Sequence, residues 1–224
     1  MILLIVLVAG LVLGPQLWVR RVLARYNRED EAFPGNGGEL ARHLLDRYHL
    51  ADIQVEPTEG GDHYDPQAGA VRLTPDKLRG RTLTAITTAA HEVGHAIQHG
   101  SDYAPFRWRT RLARMAMSAQ RAGSFLLFAT PVIAVLTRHP VPGAVMLAAA
   151  AASLGVGVLV QLVTLPVELD ASFGKALPIL RSGYLDERQQ GAARKILLAC
   201  ALTYVASSLA GLLNFWRWAR LLRR

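Results

Sequence analysis

The stretch from Thr82 to His99 reads TLTAITTAAHEVGHAIQH. It contains no proline, and Ile86, Ala89, Ala90, Val93 and Ile97 recur at helical spacing, which predicts one soluble or interfacial helix. Inside it stands His91-Glu92-Val93-Gly94-His95, two histidines with a glutamate between them. At ~100° per residue, positions four apart differ by only about 40°, so both imidazoles share one face and can grip a single ion while Glu92 lies beside it. Zinc accepts such a set. Three protein ligands leave a position for water, the metal lowers the water pKa towards ~7, and the intervening glutamate takes the proton as general base. Ala89, Ala90, Gly94 and Ala96 flank the motif and permit close approach of metal and substrate.

A third ligand is needed. His99 also follows at helical spacing, but it lies about 12 Å along the axis from His91, while one ion reaches each nitrogen at ~2.0–2.1 Å. The spacing HExxHxxGxxH fails as well, because Ile97 stands at the glycine position and Ser101 at the last histidine. Distant acids remain, and Pro166-Val167-Glu168-Leu169-Asp170-Ala171-Ser172 supplies two. Glu168 is the expected third ligand. Asp170 is the alternative ligand, or an acceptor for the far nitrogen of a ligand histidine.

Composition bounds the rest. Of 224 residues 51% are hydrophobic and 19% charged, and the mean hydropathy is +0.22, which excludes an intrinsically disordered chain. Lys plus Arg outnumber Asp plus Glu by 25 to 17, for a net charge of +8. The basic residues crowd the ends of apolar runs, as Arg20, Arg21 and Arg25 or Arg107, Arg109, Arg111 and Arg114 do, so the expected partner is a lipid bilayer and not nucleic acid. The single cysteine, Cys200, excludes an intramolecular disulfide and reads as a small buried hydrophobe.

Five regions follow from the apolar runs: an N-terminal transmembrane anchor at 1–19, an HExxH-bearing region at 20–114, a transmembrane helical hairpin at 115–165, a third-ligand segment and helix at 166–195, and a C-terminal transmembrane or interfacial helix with a basic tail at 196–224. Within the second region a helix is expected over about 38–49, followed by short strands at Ile53–Glu56 and Ala70–Thr74 forming a hairpin or two-stranded ribbon. The fold class expected is mainly α: a multi-span helical membrane protein with a zincin-like HExxH unit and a small β-hairpin. Arginine placement puts 20–122 and 166–195, and with them the catalytic face, in the cytoplasm.

The chain resembles the YugP-like neutral zinc metallopeptidase family of bacterial membrane proteases. The matching blocks are Gly61-Asp62-His63-Tyr64-Asp65-Pro66, Val71-Arg72-Leu73-Thr74-Pro75, Ala89 to Gln98, Pro166 to Ser172, and Leu202-Thr203-Tyr204-Val205-Ala206. The resemblance implies a zinc-dependent peptidase of the bacterial cell membrane, with one Zn²⁺ per chain, His91 and His95 as ligands, Glu92 as acid/base, and a peptide or protein substrate. It is also similar, distantly, to the HtpX and CAAX-processing membrane proteases, whose later ExxxD motif supplies a glutamate ligand. Glu168 falls on that glutamate, and Ser172 stands where the aspartate would be, which leaves Glu168 and Asp170 both open. His63 and Tyr64 are candidate substrate or transition-state contacts, and the strand at Ala70–Thr74 is a candidate edge for an extended substrate. Two rival readings are a protease cutting inside the bilayer and a metal-binding membrane protein without turnover.

Overall fold

The computed structural model describes residues 2–30, 33–118, 160 and 163–203. The chain divides into two compact units, Met1–Tyr103 with Leu165–Arg224, and Ala104–Thr164. The first unit holds every candidate site residue. Of the second, the described part is chiefly the helix over 104–118, named α5, and a stretch over 163–164 that begins the helix α6 at 163–169.

The first unit opens with α1, Ile2–Arg25, which carries Pro15 inside it and Arg25 in its last turn. The following turn clamps onto the start of the central helix: Asp30 N–H donates to Arg81 O at 2.9 Å and Thr84 Oγ1 donates to Leu23 O at 2.9 Å. Next comes α2, Gly37–Arg47, close to the expected span. Asn36 caps it reciprocally, its side chain accepting from Glu39 N–H while the Glu39 carboxylate accepts from Asn36 N–H, both at 2.9 Å. Its apolar stripe of Leu40, Ala41, Leu44 and Leu45 is buried.

Three short strands follow, β1 at Gln54–Pro57, β2 at His63–Asp65 and β3 at Ala70–Leu73, in the order β1-β3-β2. The expected two-stranded ribbon is therefore corrected. β1 and β3 pair in parallel, Val55 opposite Val71, and a parallel pair cannot be a hairpin. The hairpin is β2 with β3, Tyr64 opposite Val71. β3 is the central strand with a neighbour on each side, so it is not the free edge that an extended substrate would need. Arg72 on β3 spans the sheet, donating to Glu56 at 3.1 Å and to Asp65 at 2.7 Å.

A short helix α3, Pro75–Arg79, leads into α4, Leu83–Gly100, whose N-cap Thr82 accepts from Ala85 N–H at 3.0 Å. From Thr84 to Ala96 every residue of α4 is buried, and Gln98 is buried too. α4 is thus an enclosed central helix and not one lying on an interface, with α2, α3, the sheet and the returning chain around it. That returning chain is α6, a π-helix over Asp170–Ala176, α7 at Leu177–Arg181 and α8 over 187–203.

The multi-span helical membrane architecture is also corrected: among the described residues no helix is long and apolar enough to cross a membrane. In α1 the described side chains from Leu13 onward include Pro15 and Gln16, and Arg20, Arg21 and Arg25 follow, so this part is not a continuous apolar stretch. α4 holds its histidines, glutamate and glutamine inside the protein. The start of the last apolar run packs in the core, with Ile196, Leu197, Ala199 and Ala201 fully buried. Most of the expected 115–165 hairpin, and the rest of the 196–224 segment, lie outside the described residues.

Candidate metal centre

The α-helical period sets His91 and His95 on one face of α4, their rings 4.8 Å apart between centroids and 77° apart in plane. The closing group comes from far along the chain. Glu168 Oε2 lies 3.3 Å from His91 Nε2 and 3.1 Å from His95 Nε2, and one ligand atom from each of the three residues falls within 4.8 Å of the others. The histidines are 3% exposed and Glu168 is 0% exposed, so water does not screen them.

Two backbone features bring Glu168 there. The π-helix adds a residue to its turn just beyond Glu168, and its Ala171 packs on Gly94 of the HExxH motif. A Cβ at Gly94 would stand 2.7 Å from Ala171 O, so only glycine allows the two backbones to come this close.

The hydrogen-bond network fixes the tautomers of both histidines. Gln98 Nε2 donates to Val167 O at 2.9 Å and to Asp170 Oδ2 at 2.8 Å, two groups that can only accept. The amide is thereby oriented with Oε1 towards His95 Nδ1, at 2.9 Å, and that nitrogen must carry the proton. On the other ring, Ser172 gives its one hydroxyl proton to Leu197 O at 3.0 Å and so accepts from His91 Nδ1, also at 3.0 Å. With both Nδ1 protons committed elsewhere, it is the Nε2 atoms of His91 and His95 that face the Glu168 carboxylate oxygen.

Deprotonated at Nε2, the two imidazoles and the carboxylate are three electron-pair donors facing one point in a buried site, a set that a cation among them would hold together. The spacing suits one. A tetrahedral ion with bonds of ~2.0–2.1 Å holds its ligands about 3.3–3.4 Å apart, close to the two distances from Glu168 Oε2. The donor set of two imidazoles and a carboxylate fits a borderline ion such as zinc.

The other sequence candidates fall outside this cluster. Asp170 is not among the three; it takes the amide proton of Gln98 and lies 4.0 Å from Lys175 Nζ. His63 and Tyr64 lie on β2, with His63 Nδ1 2.8 Å from Gly61 O and Tyr64 OH 2.8 Å from Nδ1 of the exposed His99. Burial first, and then the Asp65 charge, push the Tyr64 phenol up to about 12. Glu92 is buried on α4, one position from His91. The Cys200 thiol, 3.9 Å from Thr88 Oγ1, is pushed up to about 12 by burial, with the charge of Glu92 next. Sequence reading missed Gln98 and Ser172 as partners of the histidines. Both stand at helical spacing, Gln98 three positions after His95 and Ser172 four after Glu168.

A helix carrying HExxH, closed by a glutamate from a distant helix, defines the metal-site class of the zinc metallopeptidases. The chain belongs to the family described as "Putative neutral zinc metallopeptidase", which matches residues 1–223. It is 33% identical over 211 residues to "Putative membrane protease YugP" of Bacillus subtilis (strain 168), covering 93% of this chain and 90% of that one. No solved structure matches it.

Proposed function

We propose that the protein is a peptidase that hydrolyses peptide bonds at one zinc ion held by His91, His95 and Glu168, with Glu92 as general base. The observation that carries this reading is the convergence of two Nε2 atoms and a carboxylate oxygen, with both Nδ1 protons committed elsewhere. A zinc ion bound there supplies Lewis-acid polarisation of the scissile carbonyl and acidifies water. Glu92 takes the proton from the attacking water and returns it to the leaving amine. Ser172 and Gln98 hold the two rings in the tautomer and orientation that ligation needs.

The relative's name assigns that protein to a membrane, and we extend a membrane setting to this chain. Leu13, Leu17 and Trp18 are exposed on α1 just before Arg20 and Arg21, an apolar surface with a basic border that suits a lipid interface.

Metal content and peptidase activity of the purified full chain test the reading. Wild type is expected to hold about one zinc and to cleave unfolded protein substrates. Glu92→Gln should keep the zinc and lose activity by two orders of magnitude or more. His95→Ala should lose both. Full activity in Glu92→Gln would refute the role of Glu92, and a folded wild type that binds no zinc would refute the centre.

A further inference from the structure

The two histidines are held differently. His91 Nδ1 meets a neutral hydroxyl, whereas His95 Nδ1 meets an amide whose other end is anchored on a carboxylate. Gln98 is 0% exposed and uses both of its N–H groups and its oxygen. Its N–H to Val167 O grips the peptide next to Glu168, so one side chain touches both arms of the cluster. Space for the carboxylate is provided: a Cβ at Gly174 would collide with Asp170 Oδ1.

From this arrangement we infer that Gln98 and Asp170 are positioning residues forming an amide-bridged relay, in which the Asp170 carboxylate acts on His95 through Gln98 and strengthens His95 as a metal donor. The relay rests on the proposed metal centre. The carboxylate polarises the Gln98 amide by accepting from Nε2, the amide oxygen gains negative character, and it then draws more strongly on the Nδ1 proton of His95. Direct carboxylate–histidine pairing raises ligand basicity in metal sites; here an amide stands between the two groups. It lets the same side chain bind Val167 O, which a carboxylate at position 98 could not do.

The test is zinc affinity of the metal-stripped full chain, measured by chelator competition, with the visible spectrum of the cobalt-substituted protein as a second readout. Asp170→Asn preserves an acceptor for Gln98 and removes only the charge. Gln98→Glu gives His95 a direct carboxylate but sets it against Asp170. Each single variant should bind zinc about tenfold more weakly, at the lower end of what such outer partners contribute. The exchange Gln98→Glu with Asp170→Asn restores one carboxylate and one amide in contact but leaves Val167 O without its donor, so it should bind zinc more tightly than Gln98→Glu alone while staying weaker than wild type.

A merely structural Gln98 predicts no loss in Asp170→Asn. Wild-type affinity and an unchanged cobalt spectrum in that variant would overturn the relay, and so would an exchange variant no better than Gln98→Glu. His95→Ala separates the two ideas. If wild type binds zinc and His95→Ala does not, failure of the single variants counts against the relay alone. If His95→Ala binds as wild type does, the centre itself falls and the relay with it.

Discussion

Replacing Gly94 by alanine is the most direct test of how the centre is assembled. The new Cβ would lie 2.7 Å from Ala171 O, where ordinary contact begins at 3.4 Å. α4 and the π-helix must therefore separate by about 0.7 Å, since neither neighbour is a side chain that can swing away. Metal–ligand distances tolerate only about ±0.2 Å, and the displaced segment lies three residues from Glu168. Helix propensity acts in the opposite sense, because alanine in a helix interior is favoured over glycine by about 0.8–1 kcal/mol. Overpacking costs about 1–3 kcal/mol. The metal-stripped variant should thus range from unchanged stability to a loss of about 2 kcal/mol, and its zinc affinity should fall at least about tenfold. Thermal melts of the stripped protein and zinc titration against a chelator measure both quantities. If propensity alone acts, the variant melts about 2–4 °C higher and binds zinc as wild type does; that pair of results would refute the close-packing argument.

Three further expectations concern other residues. Ser172→Ala removes the acceptor for His91 Nδ1 and should weaken zinc binding about tenfold while leaving the fold intact, read by the same titration and by circular dichroism. For Asp65, burial raises the carboxyl, but N–H groups of Ala68 and Gln67 and the charges of Arg72 and His63 outweigh it and hold the value below the usual range. Its stabilising effect is therefore present above the unfolded value of ~3.9 and lost as pH falls through the folded one. Asp65→Asn should melt below wild type at pH ~7 and converge with it near pH ~2, and a gap that persisted in acid would contradict this. The Cys200 thiol, pushed up to about 12, should react with alkylating reagents orders of magnitude more slowly than a free cysteine at pH ~8, and at an ordinary rate once the chain is unfolded.

What the sequence disclosed was mostly local. The span of α4, the shared face of His91 and His95 and most of α2 follow from the helical period. Glu168 was legible for a different reason, as an acid following an apolar run. The enclosure of α4 was not legible: Thr84, Thr87, Thr88 and Gln98 are polar, yet all four are buried, Thr84 against Leu23, Thr88 beside Cys200 and Gln98 against Val167 and Asp170. The pairing of β1 with β3 was hidden because a parallel register joins residues whose turn signals suggest a hairpin. β2 is three residues long, too brief for an alternating pattern to declare itself. The membrane reading failed where apolar residues such as Ile196 and Leu197 turned out to fill a protein core, a use that hydropathy alone does not separate from lipid contact.

His95 and Glu168 are 73 residues apart in sequence, and this separation bears on the order of events during synthesis. A ribosome adding about 5–20 residues per second needs roughly 4–15 s to pass from one to the other. For that interval the nascent chain carries a pair of imidazoles without their carboxylate, able to hold an ion only weakly. Bringing the ends of so long a segment together then costs about 4 kcal/mol of chain entropy at 25 °C. A metal ion bound at the proposed centre would offset part of that cost, acting as a clasp that ties α4 to the returning chain.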